Sequence, residues 1–191
     1  MSDEEEPRWV AGETALLITV PEADPLVGAV REKHDASARS GIPAHVTVLY
    51  PFLPDDRIDD GVLAELREMF AGHEEFTLDF TGFGRFPELL WLAPEADGPV
   101  RALTAAAEAR WPEAPPYGGA FDDVIPHLTV AVKLPVETFD AMERELAPGL
   151  PLRTRVSGVH LVVNDGVRWH HRTTFALHGS APRGTDRPPN G

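Results

Sequence analysis

Between residues 24 and 177 the chain runs through one order of elements twice: helix, strand, helix, strand, strand. A repeated order of this kind limits the fold to two like units, each completing its hydrophobic face against the other. The first pass reads as a helix over 24–38, with Asp24 as N-cap, Pro25 at the first helical position, and Leu26, Val27, Val30 and His34 at helical spacing. A strand over 44–50 follows, then a helix over 59–70 that aligns Val62, Leu66, Met69 and Phe70. Strands over 77–83 and 88–93 are expected to form a hairpin across 84–87.

The second pass begins with an alanine-rich helix over 99–110, a Pro/Gly-rich loop over 113–123 and a strand over 125–133. A helix over 136–146 puts Phe139, Met142 and Leu146 on one side, and strands over 152–163 and 168–177 flank Asn164-Asp165-Gly166, a hairpin turn signal. Ahead of both passes, the apolar run Ala15-Leu16-Leu17-Ile18 stops at Pro21 and predicts a buried strand over 13–20. Weak residue similarity accompanies the order, with Phe80-Thr81-Gly82-Phe83 matching Val156-Ser157-Gly158-Val159.

The strongest match lies on the strand between the two helices of each pass: Pro43-Ala44-His45-Val46-Thr47-Val48 parallels Pro126-His127-Leu128-Thr129-Val130. Alternate residues of a strand share a face, so His45 stands beside Thr47, and His127 beside Thr129, while Val46, Val48, Leu128 and Val130 face the helices. An approximate two-fold relation would set the two pairs facing across a groove. Two imidazoles titrating near neutrality and two neutral hydroxyl donors suit acid/base chemistry on a phosphodiester. One ring would take a proton from the attacking oxygen and the other supply one to the leaving oxygen, while the threonines hold the non-bridging oxygens; no metal is required.

Eight histidines predict about 0.7 His-x-Ser/Thr motifs by chance, and a third, His171-Arg172-Thr173, does occur. It lacks flanking apolar residues and sits in the last strand of its pass, so it is set aside. Zinc binding through His45 and His127 lacks a nearby Asp, Glu or Cys in either motif. Among the aromatics, Tyr50, Phe52, Tyr117, Phe121 and Trp169 are candidate base platforms; Phe121 and Trp169 are expected in the core, and Tyr117, in the loop, is the best candidate. His34, His73, His160, His170 and His178 read as surface or packing residues, and Asp122-Asp123 as part of a solvated loop.

At the paired strands the sequence resembles the 2H phosphoesterase superfamily, within it the 2′-5′ RNA ligase-like and cyclic phosphodiesterase branch, over about residues 13–178. The resemblance implies an α+β, bilobal, duplicated fold, with two small antiparallel sheets lining a central cleft and helices outside. It implies metal-independent chemistry without a cofactor on 2′,3′-cyclic phosphates of nucleotides or RNA ends, or on the 1″,2″-cyclic phosphate of ADP-ribose, with reversible ligation in some members. By position, His45 and His127 would be catalytic and Thr47 and Thr129 would bind phosphate. Members acting on RNA ends often carry an arginine shortly after the second motif; here Ala131-Val132-Lys133 stands there, and a regular strand would put Lys133 on the face of His127. A nucleotide- or RNA-end-binding module without turnover is the alternative, and a purely structural protein a third possibility.

Composition narrows the setting. With 42% apolar and 25% charged residues and no cysteine, disulfide frameworks, thiolate zinc sites and cysteine nucleophiles are excluded. No apolar stretch is long enough to span a membrane, and Ser2-Asp3-Glu4-Glu5-Glu6 has the wrong charge for a secretory signal, so a cytoplasmic monomer is expected. The net charge of -14 opposes docking along a long duplex and favours a small nucleotide or a short RNA end. Residues 1–8 and 179–191 read as disordered tails around a single domain over 9–178.

Overall fold

Antiparallel pairing gathers the strands of the computed structural model into two four-stranded sheets. The structure describes residues 9–121 and 123–179; the two expected tails, apart from Gly179, lie outside the described residues, as does Asp122. Along the chain the elements are β1 (Thr14–Thr19), α1 (Asp24–His34), α2 (Ala36–Arg39), β2 (His45–Leu49), α3 (Asp60–Ala71), β3 (Phe76–Phe86) and β4 (Leu89–Pro94). There follow α4 (Gly98–Arg110), β5 (Leu128–Val132), α5 (Val136–Leu146), β6 (Leu152–Val156), β7 (Gly158–Asn164) and β8 (Trp169–Ala176). Sheet 1 has the order β2-β1-β7-β8 and sheet 2 the order β5-β4-β3-β6.

The duplication is clearest when the unit starts one strand earlier than the sequence pattern suggests. β1 lies inside sheet 1 next to β2, as β4 lies inside sheet 2 next to β5, and each is followed by its unit's first helix. The strand expected over 152–163 is two strands, because the chain changes sheets at Ser157. Residues 152–156 pair with β3, while 158–164 pair with β1 and β8. Gly158 sits at that crossing, where a Cβ would meet the Phe175 carbonyl oxygen at 2.8 Å. A second departure falls in the first helix, which ends at Asp35. That residue is extended (φ -135°, ψ 112°), and its carboxylate caps α2 by accepting from the Ser37 amide at 2.9 Å. The third is the hairpin: β3 runs on to Phe86, so Gly84 is a strand residue.

One apolar core joins the units, including Leu16, Val46 and Val48 from the first and Leu92, Leu128 and Val130 from the second. The helices cross over: α1 packs against β5, and α4 against β2. Each His-x-Thr strand is therefore backed by the helix of the other unit, which ties its position to both halves of the core.

Candidate active site

β2 and β5 are the edge strands of their sheets, and their residues approach within 8 Å between Cα atoms. Along β2 burial alternates as the sequence pattern requires: Val46 and Val48 are buried, and His45 and Thr47 are half-buried on the opposite face. Along β5, Leu128 and Val130 are buried while Thr129, and His127 immediately before the strand, are half-buried. The four residues singled out from sequence thus lie on adjoining edges, away from the core.

Both strands bulge at the same place. Leu17 faces Thr47 and Leu16 faces Leu49, so Val48 is the extra residue; Trp91 faces Thr129 and Leu90 faces Ala131, so Val130 is. In each strand two successive residues turn inward, Val48 with Leu49 and Val130 with Ala131. The alternation then resumes out of phase, bringing Tyr50 and Val132 to the cleft side. The expectation for Lys133 is corrected by this bulge, since Val132 takes the position on the His127 face. Lys133 instead follows the strand in a left-handed conformation (φ 55°) and reaches the cavity beside His127 from there. The Val48 carbonyl at the first bulge is satisfied by the Thr104 hydroxyl of α4, which donates to it at 2.8 Å.

The two imidazoles are held alike. His45 Nδ1 lies 2.8 Å from the Pro43 carbonyl oxygen, and His127 Nδ1 lies 2.7 Å from that of Ile125. A carbonyl can only accept, so each Nδ1 carries the proton and each neutral ring has a bare Nε2. Their electrostatics differ. Burial, reinforced by the Arg31 guanidinium, pushes His45 down to about 4 against the opposing effects of the Pro43 bond and Asp35, with His127 adding a smaller depression. Burial also lowers His127, opposed by its bond to Ile125. Arg31 carries no signal in the sequence. It is 2% exposed, pairs with Asp35 at 2.9 Å, and leaves its Nε without a partner among the described residues.

The loop before the second motif closes one side. Tyr117 is left-handed at φ 51°, as are Gly118 and Gly119, an unusual backbone for a tyrosine. Its amide donates to the Tyr50 carbonyl at 2.6 Å, and its phenol lies beside the Thr47 side chain; burial raises the phenol's pKa, opposed by Thr47. Phe121 is 63% exposed and meets Tyr117 edge-on at 5.7 Å. It therefore lies at the cleft mouth and outside the core where it was expected; Trp169 and Phe52 are buried. Asp123 pairs with Arg101, which also holds Asp97. A cavity of about 710 Å³ opens between this loop and sheet 2, lined by Phe86, Leu89, Tyr117, Phe121, His127, Val132 and Lys133 among others.

The floors of the cleft differ between the sheets. On sheet 2, Trp91 stands beside Thr129 and lies over Gly84; it stacks with Phe86 at 5.3 Å and tilts against His127 at 5.8 Å. On sheet 1 the position equivalent to Trp91 is Leu17, opposite Thr47 and packed in an apolar cluster with Val162 and Trp169; the same face also carries polar groups, Thr19 opposite His45, and His160, Thr174 and His171 on β7 and β8. His160 and His171, which the sequence presents as packing or misplaced residues, thus share the face of the first motif. Among the described residues, no group of three or more His, Cys, Asp or Glu is placed to hold a metal ion. No helix among them is long and apolar enough to cross a membrane.

Comparison with known proteins agrees with this architecture. The 2′-5′ RNA ligase superfamily model matches residues 19–168. Similar solved structures include LigT of E. coli complexed with 3′-AMP, at 15% identity and a TM-score of 0.56, covering 88% of this chain and 99% of that one. LigT of E. coli complexed with NADP+ is 20% identical, with a TM-score of 0.53 and coverage of 89% and 99%. The TT0787 protein of Thermus thermophilus is 22% identical, with a TM-score of 0.55 and coverage of 88% and 100%. At these identities the likeness establishes the fold, two antiparallel sheets with helices in an α+β arrangement. No curated protein matches the chain.

Proposed function

The chain belongs to the 2′-5′ RNA ligase superfamily, and from that premise we propose that it is a metal-independent phosphodiesterase opening cyclic phosphates of nucleotides or RNA ends. The observation that carries this reading is the matched construction of the two His/Thr pairs on adjoining edge strands, each imidazole fixed by a proton donated from Nδ1 to a carbonyl two residues earlier. Two bare Nε2 atoms on one cleft are what an in-line displacement at phosphorus needs on its entering and leaving sides.

His45 is suited to the base role, because burial and Arg31 both oppose its charging. It takes a proton from water as the water oxygen bonds to phosphorus. The ribose oxygen that leaves phosphorus takes a proton from His127, whose proton affinity rises when an anion is bound beside it. The products are a ribose hydroxyl and a phosphomonoester, and His45 returns its proton to solvent or to His127 before the next turnover. Thr47 and Thr129 donate to the non-bridging oxygens as charge builds there. The cavity beside His127, walled by Phe86, Tyr117 and Phe121, has the shape and character for a nucleobase. The occurrence of 3′-AMP and NADP+ in the LigT structures supports a nucleotide ligand. The net charge of -14 favours a small nucleotide or short RNA end over a long duplex. A cytoplasmic monomer and a single domain flanked by tails complete the reading.

The test is turnover of 2′,3′-cyclic nucleotides in the presence of EDTA. His45→Ala and His127→Ala are each expected to lose about 100- to 10,000-fold in kcat/KM, and Thr47→Val and Thr129→Val about 10- to 100-fold. Rates unchanged in both histidine variants overturn the assignment. Nucleotide binding with no product from any cyclic phosphate favours a binding module.

A further inference from the structure

Sheet 1 extends the proposed catalytic cleft with a row of polar groups that the chemistry above does not use. Cross-strand register fixes their face: Thr19 is opposite His45, Leu17 is opposite both Thr47 and His160, His160 is opposite Thr174, and Val162 is opposite His171. The side chains are joined in series. The Thr19 hydroxyl lies 3.1 Å from His160 Nε2, His160 Nδ1 lies 2.9 Å from the Thr174 hydroxyl, and His171 Nε2 lies 2.8 Å from that same hydroxyl. The two rings are 5.6 Å apart, with Thr174 and His171 exposed and Thr19 and His160 half-buried.

We infer that this row is a second phosphate subsite, which takes a phosphomonoester carried by the same substrate on the far side of its ribose from the cyclic phosphate. The inference rests on reading His45 and His127 as the reacting centre. Spacing supports it: β7 is two strands from β2, about 10 Å, and β8 about 14 Å, separations that suit a 5′-phosphate or a 5′-diphosphate. The donor set also suits it. Two hydroxyls and two neutral imidazoles carry four N–H and O–H protons with no carboxylate among them; three join the row, one is left for a ligand, and an arriving dianion can draw a further proton onto an imidazole. Knitting three strands together does not by itself require two imidazoles in ring contact, where His171 adds to burial in opposing protonation of His160.

The counterpart ground on sheet 2 sharpens the argument. There Trp91 lies on Gly84 and stacks with Phe86, an apolar surface continuous with the cavity beside His127. Sheet 1 answers Trp91 with the smaller Leu17, opposite Thr47, and adds the donor row beyond it. A substrate with a base at one end and a phosphate at the other fits such a cleft in one orientation only, which fixes which ester oxygen lies toward which imidazole.

The experiment compares adenosine 2′,3′-cyclic phosphate with the analogues carrying a 5′-phosphate or a 5′-diphosphate. Wild-type protein is expected to prefer a 5′-phosphorylated substrate by about 10- to 100-fold in kcat/KM, mostly through KM, with the better of the two reporting the length of the subsite. In the double variant His160→Asn, His171→Asn, and in Thr174→Val, the ratio between substrates should collapse towards one, whatever the absolute rates. A wild type that does not discriminate, or folded variants that keep the preference, overturns the subsite. If no substrate is turned over, the catalytic reading fails separately, and 5′-AMP titration followed through the ring-proton shifts of His160 and His171 decides the subsite. Saturable shifts in both rings support it, and their absence refutes it. Should the variants fail to fold, the wild-type preference and this titration decide it together.

Discussion

Replacing Gly84 by alanine tests how the aromatic floor supports His127. In an ordinary strand interior glycine is the weaker residue, and alanine would be expected to stabilise by about 0.5–1 kcal/mol. Here the sign should reverse. A Cβ at position 84 would lie 2.2 Å from Trp91 Cζ2, 2.4 Å from Cε2 and 2.5 Å from Cη2. Carbon atoms in contact sit about 3.5–4.0 Å apart, so the indole must lift by more than about 1 Å. It cannot do so freely, because one neighbour is Phe86 at 5.3 Å and another is His127 at 5.8 Å. Overpacking of this kind costs about 1–3 kcal/mol, or a fall of roughly 2–12 °C in Tm for a chain of this size. A shift of about 1 Å in His127 would lower kcat/KM by up to about 100-fold. Thermal unfolding and cyclic nucleotide turnover would be measured on Gly84→Ala, Trp91→Leu and the double variant. The smaller side chain should relieve the clash, so the pair should be strongly non-additive in stability. A Gly84→Ala protein as stable as wild type, or simple additivity in the double variant, refutes the idea that position 84 is kept bare for the indole.

Three further outcomes follow from the site. Tyr117→Phe removes only the hydroxyl beside Thr47 and should reduce kcat/KM by about 2- to 10-fold with Tm unchanged; a larger loss in Tm would assign the phenol to stability instead. Because His45 is depressed from 6.5 to about 4 in the folded protein, the unfolded chain binds the extra proton between those values. The associated stability is complete above about pH 6.5 and is lost as pH falls towards 4, by at most about 3 kcal/mol, less what the ring's residual exposure removes. Thermal melts across that range should show His45→Gln losing less than wild type, and parallel curves would contradict the depression. Arg31→Met leaves the buried Asp35 carboxylate without its cation and should cost about 3–5 kcal/mol, read from denaturant midpoints, whereas a loss below about 1 kcal/mol would mean that the pair is dispensable.

The motif strands are legible in the sequence because their constraints are local. Alternation places His45 and Thr47 on one face, and His127 and Thr129 likewise, and periodicity delimits α5 at 136–146. What escapes depends on partners distant in the chain. Burial of Arg31 requires Asp35 and the packing of α1 on β5, and no helical period shows that a cation belongs inside. The break at Ser157 depends on which sheet each half can join. Both bulges are visible only against the partner strands. In the sequence His171 looks misplaced because Arg172 stands next to it, yet adjacent strand residues face opposite ways. Arg172 reaches out to Asp55 and to the Ile58 carbonyl, while His171 lies toward the cleft. Beyond Trp169 the face of β8 that carries His171 and Thr174 is exposed, so flanking hydrophobicity is the wrong test there.

The differences between the two units are placed where function can use them. On β2 and β5, the proposed reacting edges, the units agree in detail: the same His-x-Thr spacing, the same carbonyl two residues back, and a bulge at the same step. Such agreement suits proton transfer on both sides of one phosphorus. One strand inward the agreement ends, with Leu17 on β1 opposite Thr47 where Trp91 on β4 stands opposite Thr129, and with Thr19 opposite His45 leading into the donor row. Two identical floors would accept a substrate in either of two orientations and so exchange the roles of the imidazoles at random. An indole on one sheet and a donor row on the other would remove that degeneracy in the proposed reaction, and the unequal electrostatic surroundings of His45 and His127 would then act on a substrate that arrives in one orientation.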